Sequence, residues 1–460
     1  MDKFTGFSDD ELLVKILSFL PTKFAITTSV LSKQWKFLWM RVPKLEYDEM
    51  SMFSSEFYLR YVFPEEGYSE TYSTELERCQ RMRCFIDKNL PLHSSPVIKS
   101  LNLTFHNEIF QPEAIKLWVE IAISRCVEEL SVAFSSLKGK LNAVMPSSLY
   151  ICKSLVTLKL TNDIYVDVPH VFCLPSLKTL HLRRVIYADE ESLQRLLFNS
   201  YVLEDLALEL SPRDNVRNFA VIIPSLLSLS FRISDMCEEF RIDTPSLKYF
   251  TVFCKSSFGL IESMPKLEKA DITASHNIKK LLELVTSVKR LSLTIIEDSG
   301  TEALTAVYGE DIVFKELEHL KFRIHDAYWS KVLHWLLIAS PKLRKLEFDE
   351  HFSRDGMDTL VCWKQLKSVP QCFLSSLQTF KWTCYGISVE GKDLVKYILR
   401  KSCQLKTATI VFGQEFDPQK KLEMETEVKF CFRDSPIVIL SMTDEESCES
   451  RLMPALDFLY

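Results

Sequence analysis

The pattern that decides the fold is Pro175-Ser176-Leu177-Lys178-Thr179-Leu180-His181-Leu182. Its leucines follow the spacing apolar-x-x-apolar-x-apolar, which recurs thirteen times along the chain. The copies begin at Ile98, Val127, Leu155, Leu177, Leu203, Leu226, Leu247, Leu267, Val288, Leu317, Leu343, Leu377 and Leu405. Successive starting residues lie 20 to 34 positions apart. A repeat of this length indicates one strand and one return segment per unit.

Such units can bury their leucines only against neighbouring units, which is typical of leucine-rich repeats. We therefore predict an α/β fold whose main part is an irregular solenoid, or horseshoe. The chain has only ten glycines and its spacers are long, which favours helical returns such as residues 189–198. A set of unrelated buried strands is the alternative, and thirteen copies argue against it.

The composition excludes several classes of protein. The chain has 460 residues, of which 47% are hydrophobic and 26% charged, as in ordinary globular proteins. No apolar run approaches the length of a membrane span, and the polar start is unlike a signal peptide, so we expect a cytosolic or nuclear protein without a membrane partner. The thirteen cysteines form no Cys-x-x-Cys pair, and the net charge is −6. We therefore expect no disulfide framework, metal, cofactor or nucleic-acid partner.

The first forty residues carry a second pattern. Ser8 and Glu11 form a capping box that predicts a helix from about Asp9, which Pro21 should end. Its apolar face contains Leu12, Leu13, Ile16, Leu17 and Leu20. A second helix over residues 24–31 and a third, capped by Ser32, complete a small apolar module. About 40 residues seldom form a stable core alone, so the module should pack against a partner or, equally, against the rest of this chain.

The stretches Leu12 to Lys23 and Val30 to Trp39 are similar, almost residue for residue, to the F-box of plant F-box proteins. Ser8-Asp9 replaces the Leu-Pro that usually precedes the first helix. The stretch from Pro175 to Leu206 resembles the repeats of the same family, and residues 375–410 resemble the FBD domain. The resemblance implies an F-box (1–45), a connector with a helix (46–95), leucine-rich repeats (96–355), an FBD domain continuing the solenoid (356–445) and a tail (446–460).

The resemblance further implies a non-catalytic substrate-recognition subunit of an SCF-type (Skp-cullin-F-box) ubiquitin ligase. The F-box would dock a Skp-type adaptor, and through it a cullin, while the repeats hold an unknown target protein. The implied adaptor-binding residues are Leu12, Leu13, Ile16, Leu20, Pro21, Val30, Trp35 and Trp39.

The outward positions of the repeat strands form the candidate target-binding face, because side chains alternate across a strand. The candidates are Arg232, Tyr249, Phe253, Arg290, His319, Lys321, Arg323 and Lys345, with His181, Arg183 and Glu209 on earlier strands. The later positions are basic, which suits an acidic or phosphorylated segment. An ordinary solvated strand face explains the same residues, and we favour that interpretation. Tyr249 and Phe253 are candidate aromatic anchors.

Enzyme interpretations find little support. The sequence has no Gly-x-Ser-x-Gly elbow, phosphate-cradling glycine loop or His-Glu-x-x-His motif. Two non-catalytic alternatives stay open beside the ligase subunit. One is a leucine-rich-repeat scaffold whose F-box is weakened by Ser8-Asp9, and the other is a small-molecule co-receptor with an enclosed polar pocket on the concave face.

Overall fold

The computed structural model describes residues 9–49, 69–106, 109–136, 141–211, 213–233, 237, 239–254, 259–274, 278–296, 312–324, 329–350, 368–384, 389–413, 418–431 and 439–444. The chain divides into two compact units, Met1–Thr244 and Pro245–Tyr460. No described helix is long and apolar enough to cross a membrane. Within the same residues, no group of three or more His, Cys, Asp or Glu side chains is placed to hold a metal ion.

The N-terminal unit opens with a small helical module. It contains α1 (Asp9–Leu17), α2 (Thr22–Thr27) and two 3₁₀ segments, Thr28–Val30 and Trp35–Arg41. The module has its own core, formed by Leu17, Ala25, Leu38, Trp39 and Val42. A small hydrophobic cluster therefore holds these short helices together.

The module differs from the sequence prediction at the end of its first helix and at the start of its third segment. The first helix ends at Leu17, before Pro21. The backbone amides of Phe19 and Leu20 donate to carbonyl oxygens three residues earlier, at 3.1 and 3.0 Å, instead of four residues earlier as in an α-helix. The third segment is a 3₁₀ helix that begins after Gln34 without a side-chain cap, so the predicted Ser32 cap is wrong. Leu38 and Trp39 of this segment, and Val42 directly after it, face the small core. Ser8 lies outside the described residues, and the capping box stays a prediction.

The rest of the N-terminal unit consists of parallel strands and their returns. Its helices are α3 (Ser69–Asn89), α4 (Pro112–Ser124) and α5 (Glu190–Phe198), with a 3₁₀ segment at Ser147–Ile151. Its strands are β1 (Lys44–Asp48), β2 (Ser100–Phe105), β3 (Glu129–Phe134), β4 (Ala143–Val144), β5 (Thr157–Asn162), β6 (Ile164–Val166), β7 (Thr179–Arg183), β8 (Ile186–Tyr187), β9 (Asp205–Glu209), β10 (Asn218–Ile222), β11 (Ser228–Arg232) and β12 (Glu239–Asp243).

The main sheet of this unit is parallel, in the order β1-β2-β3-β5-β7-β9-β11. Short return strands pair separately, β4-β6-β8 and β10-β12. The predicted helical return near residue 189 is confirmed by α5. The pairing of β1 with β2 was not predicted, since β1 precedes the first recognised repeat.

The C-terminal unit continues the same architecture. Its strands are β13 (Tyr249–Cys254), β14 (Leu260–Ile261), β15 (Lys269–Ala274), β16 (Arg290–Ile295), β17 (His319–Ile324), β18 (Lys345–Glu350), β19 (Thr379–Cys384), β20 (Thr407–Phe412) and β21 (Ile439–Asp444). Its helices are α6 (Ile278–Leu284), α7 (Trp329–Ala339), α8 (Gln371–Ser375), α9 (Val389–Lys401) and α10 (Pro418–Cys431). The parallel order is β13-β15-β16-β17-β18-β19-β20-β21.

The leucine pattern places each repeat strand. In all thirteen copies the strand begins two residues after the first apolar residue, as Thr179 follows Leu177. Leu180 and Leu182 face the core at 0% exposure, while His181 between them is partly exposed. The mixed α/β class with a repeat region is thereby confirmed. The horseshoe curvature stays a prediction.

Candidate protein-interaction surfaces

The helical module leaves a large apolar surface uncovered. Val30 is 87% exposed, and Leu12 and Ile16 are 52% and 47% exposed. We call the following set the apolar surface: Leu12, Ile16, Phe19, Leu20, Phe24, Val30, Leu31 and Phe37. Phe19, Phe24, Leu31 and Phe37 were not among the predicted docking residues, although their apolar type at such density was a usable signal. So many exposed large side chains in one short module indicate a site of protein association.

The predicted adaptor residues occupy different layers of the module. Pro21 is exposed together with the predicted members of the apolar surface, while Leu13 and Trp35 are partly buried against the small core. Trp39 is only 5% exposed, and its ring centroid lies 5.6 Å from that of Phe85 on α3. Trp39 is therefore part of the small core and does not present its ring to solvent.

Hydrogen bonds tie this module to the first repeats. The backbone amide of Glu46 donates to Thr22 Oγ1 at 2.8 Å, which connects β1 to α2. His93 Nε2 lies 3.0 Å from the carbonyl oxygen of Val42, after the end of α3. Burial lowers the pKa of His93 to about 4, so the neutral ring donates this bond at neutral pH.

A buried carboxylate makes a second tie. Glu49, at the end of β1, is 2% exposed and accepts a hydrogen bond from the backbone amide of His106, next to β2. Cys79 Sγ on α3 lies 3.4 Å from the same carboxyl group. Burial raises the pKa of Glu49. These contacts join α3 to the first two strands.

The outward strand positions match the predicted register. None of the candidate target-binding residues is buried, and Tyr249 and Arg290 are exposed. Arg232 and Glu209 face each other on β11 and β9, with Arg232 Nε 3.9 Å from Glu209 Oε1. His181 Nε2 contacts Asp205 Oδ2 at 3.0 Å on the next strand.

Carboxylates on β18 neutralise most of the predicted basic group. His319 and Lys345 both contact Glu347, while Lys321 and Arg323 contact Asp349 at 3.4 and 3.1 Å. The hydrogen bond from His319, with Lys345 alongside, lowers the pKa of Glu347 to about 2.

Burial by itself raises the pKa of Asp349, but the charges of Lys321 and Arg323 outweigh it, so its pKa lies below the ordinary value. Lys321 and Arg323 are therefore parts of an ion-pair network. An open basic patch at these two residues is not what the geometry shows.

A cleft of about 600 Å³ lies between α2, β1 and α3. Ile26, Met82 and Phe85 form its apolar part, and Arg78 and Asp48 are among its charged residues. None of the candidate target-binding residues on the repeat strands lines this cleft.

Comparison with known proteins agrees with this arrangement of a helical module followed by repeats. The chain is 69% identical over 444 residues to the "Putative F-box/FBD/LRR-repeat protein At5g62970" of Arabidopsis thaliana, covering 95% of this chain and 98% of that protein. The chain belongs to the plant F-box/FBD/LRR-repeat family. The "Putative FBD-associated F-box protein At5g56410" of the same plant is 67% identical over 93% of this chain and 84% of its own length. The "FBD-associated F-box protein At4g10400" is 43% identical over 93% and 97%.

Family models place the F-box/FBD/LRR segments along the chain. The F-box domain matches residues 9–47, which end inside β1. The model described as "FBD-associated F-box protein At5g56370, LRR repeats" matches residues 115–281, and the FBD model matches residues 365–410. An F-box domain implies docking on a Skp-type adaptor in an SCF complex, and the family is generally adaptor-like and non-catalytic.

Proposed function

We propose that this F-box protein is a substrate-recognition subunit of an SCF-type ubiquitin ligase. The apolar surface would dock the Skp-type adaptor and through it a cullin, and the outward face of the repeat strands would hold a target protein. Its own contribution to catalysis would be proximity, because it brings the target to a ubiquitin-conjugating enzyme. The proposal places the protein in the cytosol or the nucleus.

The observation that carries the proposal is the separation between the apolar surface and the small core beneath it. Leu17, Ala25 and Leu38 fill that core at 0 to 4% exposure, so the module does not need its outer side chains for its own packing. Large apolar groups left in water favour association, at roughly 25 cal/mol per Å² of area removed from solvent. A partner with a complementary apolar groove would bury them.

The test is calorimetric titration of the full chain with a Skp-type adaptor. We expect wild-type binding and a loss of at least ~100-fold in affinity for the triple variant Leu12→Ala/Ile16→Ala/Val30→Ala, since each truncation removes part of a buried contact worth about 1 kcal/mol or more. All three residues lie outside the small core, so the variant should keep the wild-type melting temperature.

A matched control comes from equally exposed apolar residues elsewhere in the N-terminal unit. Leu117, Ile222 and Val171 are 51%, 52% and 85% exposed, against 52%, 47% and 87% for Leu12, Ile16 and Val30. The variant Leu117→Ala/Ile222→Ala/Val171→Ala should bind the adaptor like the wild type. Equal losses in both triple variants, or no adaptor binding by the wild-type chain, would refute the proposal in favour of a repeat scaffold.

A further inference from the structure

The first residues of four neighbouring strands in the C-terminal unit are all basic. Lys269, Arg290, His319 and Lys345 begin β15, β16, β17 and β18, and the sheet register places each directly beside the next. We call these four residues the cation row. Adjacent strands lie about 4.8 Å apart, so the row presents basic side chains at close, regular spacing.

In the neighbouring rows of the same sheet, like charges do not stand side by side. Two residues further along the strands, Lys321, Glu347 and Lys381 alternate in sign. The residues that immediately precede the strands alternate too, as Lys248, Glu268, Lys289, Glu318 and Arg344. Like charges directly opposite each other on paired strands are destabilising. The cation row is therefore a local departure from the charge pattern of its own sheet, and such departures are expected at functional sites.

Glu347 balances one end of the row, because it contacts His319 and Lys345. At the other end, Lys269 and Arg290 are both exposed. Among the described residues, neither makes an ion pair or hydrogen bond through its side chain. Asp271 is on the same face of β15, two residues along the strand, without an ion pair to Lys269. The exposed end of the row thus keeps its positive charge.

An aromatic side chain extends the row on the side of Lys269. Tyr249 begins β13, lies beside Lys269 in the register and is 49% exposed. From Tyr249 to Lys345 the row crosses four strand spacings, or ~19 Å, which is the length of roughly six residues of extended chain. The size of the row therefore fits a short peptide lying across the strands.

We propose that Tyr249 and the cation row bind a short extended peptide segment rich in Asp and Glu. This inference rests on the proposed function, since the segment would belong to the target protein. Arg290 and Lys269 would contact its carboxylates, for which guanidinium and ammonium groups are suited, and Tyr249 would pack against an apolar or aromatic residue beside them.

The charges around the row disfavour nucleic acid. Glu268 and Glu318 are exposed immediately before β15 and β17. The chain as a whole has a net charge of −6. Together with this net charge, the two acidic groups oppose the long-range attraction on which nucleic-acid binding relies.

The experiment measures fluorescence anisotropy of labelled eight-residue peptides with the full chain bound to its adaptor. One peptide alternates Asp and Glu around a central Phe, and its isostere carries Asn and Gln instead. We expect binding of the acidic peptide with a dissociation constant of ~1 mM or below, and at least tenfold weaker binding of the isostere. Equal binding of the two peptides, or no binding of the acidic one, would overturn the proposal.

Two variants and one competing probe sharpen the result. The double variant Lys269→Ala/Arg290→Ala should weaken acidic-peptide binding at least tenfold. The control Lys266→Ala/Lys315→Ala removes the same charge from exposed lysines outside the row and should bind like the wild type. Equal weakening by both variants, or tighter binding of a single-stranded oligothymidylate than of the acidic peptide, would overturn the assignment.

The melting temperature of a further variant tests the repulsion between like charges in the row. Arg290→Thr introduces the residue type that β19 and β20 carry at this position, namely Thr379 and Thr407. Because it removes a like-charge neighbour, its melting temperature should equal or exceed that of the wild type. A lower melting temperature would contradict the repulsion on which the inference depends.

The two proposals fail separately. Lys269→Ala/Arg290→Ala should leave adaptor affinity unchanged, because both residues lie in the C-terminal unit while the apolar surface lies in the N-terminal unit. If the wild-type chain fails to bind the adaptor, the peptide titration is repeated on the free full chain. Acidic-peptide binding there would uphold the site and reject only the ligase proposal.

Discussion

Ile16 and Leu17 are adjacent in α1, yet the structure predicts opposite consequences for the same substitution. Ile16 is 47% exposed within the apolar surface, whereas Leu17 is 0% exposed in the small core. Leu17→Ala should lower the free energy of unfolding by about 2–5 kcal/mol through lost burial and a cavity. Ile16→Ala should change it by less than about 0.5 kcal/mol, because little buried area is removed.

The order reverses for adaptor affinity. Complete burial of the exposed half of Ile16 removes ~70 Å² from water, which is worth about 1–2 kcal/mol, or roughly tenfold in the dissociation constant. Leu17→Ala should bind within about twofold of the wild type at temperatures well below its melting transition. Chemical denaturation and calorimetry on both variants measure the two effects. A large stability loss for Ile16→Ala, or an affinity loss for Leu17→Ala without destabilisation, would refute the separation of surface from core.

Three further predictions concern stability. The pKa of His93 is lowered to about 4, so the free energy of unfolding should fall as the pH drops from about 6.5 towards 4. In acid titrations, the variant His93→Gln should show a weaker dependence of this free energy on pH. An unchanged dependence would contradict the buried neutral state of His93. Glu347 has its pKa lowered to about 2, so its stabilisation is present above pH 4.5 and lost between 4.5 and 2; Glu347→Gln should remove that dependence, and its persistence would contradict the ion pairs. Trp118 is buried, and its Nε1 lies 3.0 Å from Asp87 Oδ1. In chemical denaturation, Trp118→Ala should lower the free energy of unfolding by about 3–5 kcal/mol and Asp87→Ala by roughly 1 kcal/mol. Equal losses would contradict the argument that packing of the ring matters more than its hydrogen bond.

The repeat strands were predictable because their pattern is a burial pattern. A leucine such as Leu177 packs at 0% exposure two residues before its strand, and Leu180 and Leu182 then alternate with outward residues. β1 escaped prediction because its two buried residues, Leu45 and Tyr47, give too short an alternation to distinguish it from a loop.

The two candidate surfaces show where sequence reasoning reached its limit. The burial of Trp39 includes its contact with Phe85 of α3, a neighbour from a distant part of the sequence that the residue types of the module do not reveal. The ion pairs of Lys321 and Arg323 with Asp349 could in principle have been predicted from the sequence. Aligning the repeats on their leucines places both residues beside β18, where Asp349 stands opposite Arg323.

The strand β1 has a consequence for how this family can be recombined. The F-box match ends at residue 47, and the predicted domain border at residue 45 also falls inside this strand, which pairs with β2 along its whole length from Lys44 to Asp48. A graft cut at either point would leave an open sheet edge and uncover Leu45 or Tyr47, a combination that promotes aggregation. The F-box of this chain therefore cannot be separated from the repeats at these residues without exposing buried side chains. Exchange of F-boxes between relatives should succeed only where the whole of β1 is transferred together with the F-box.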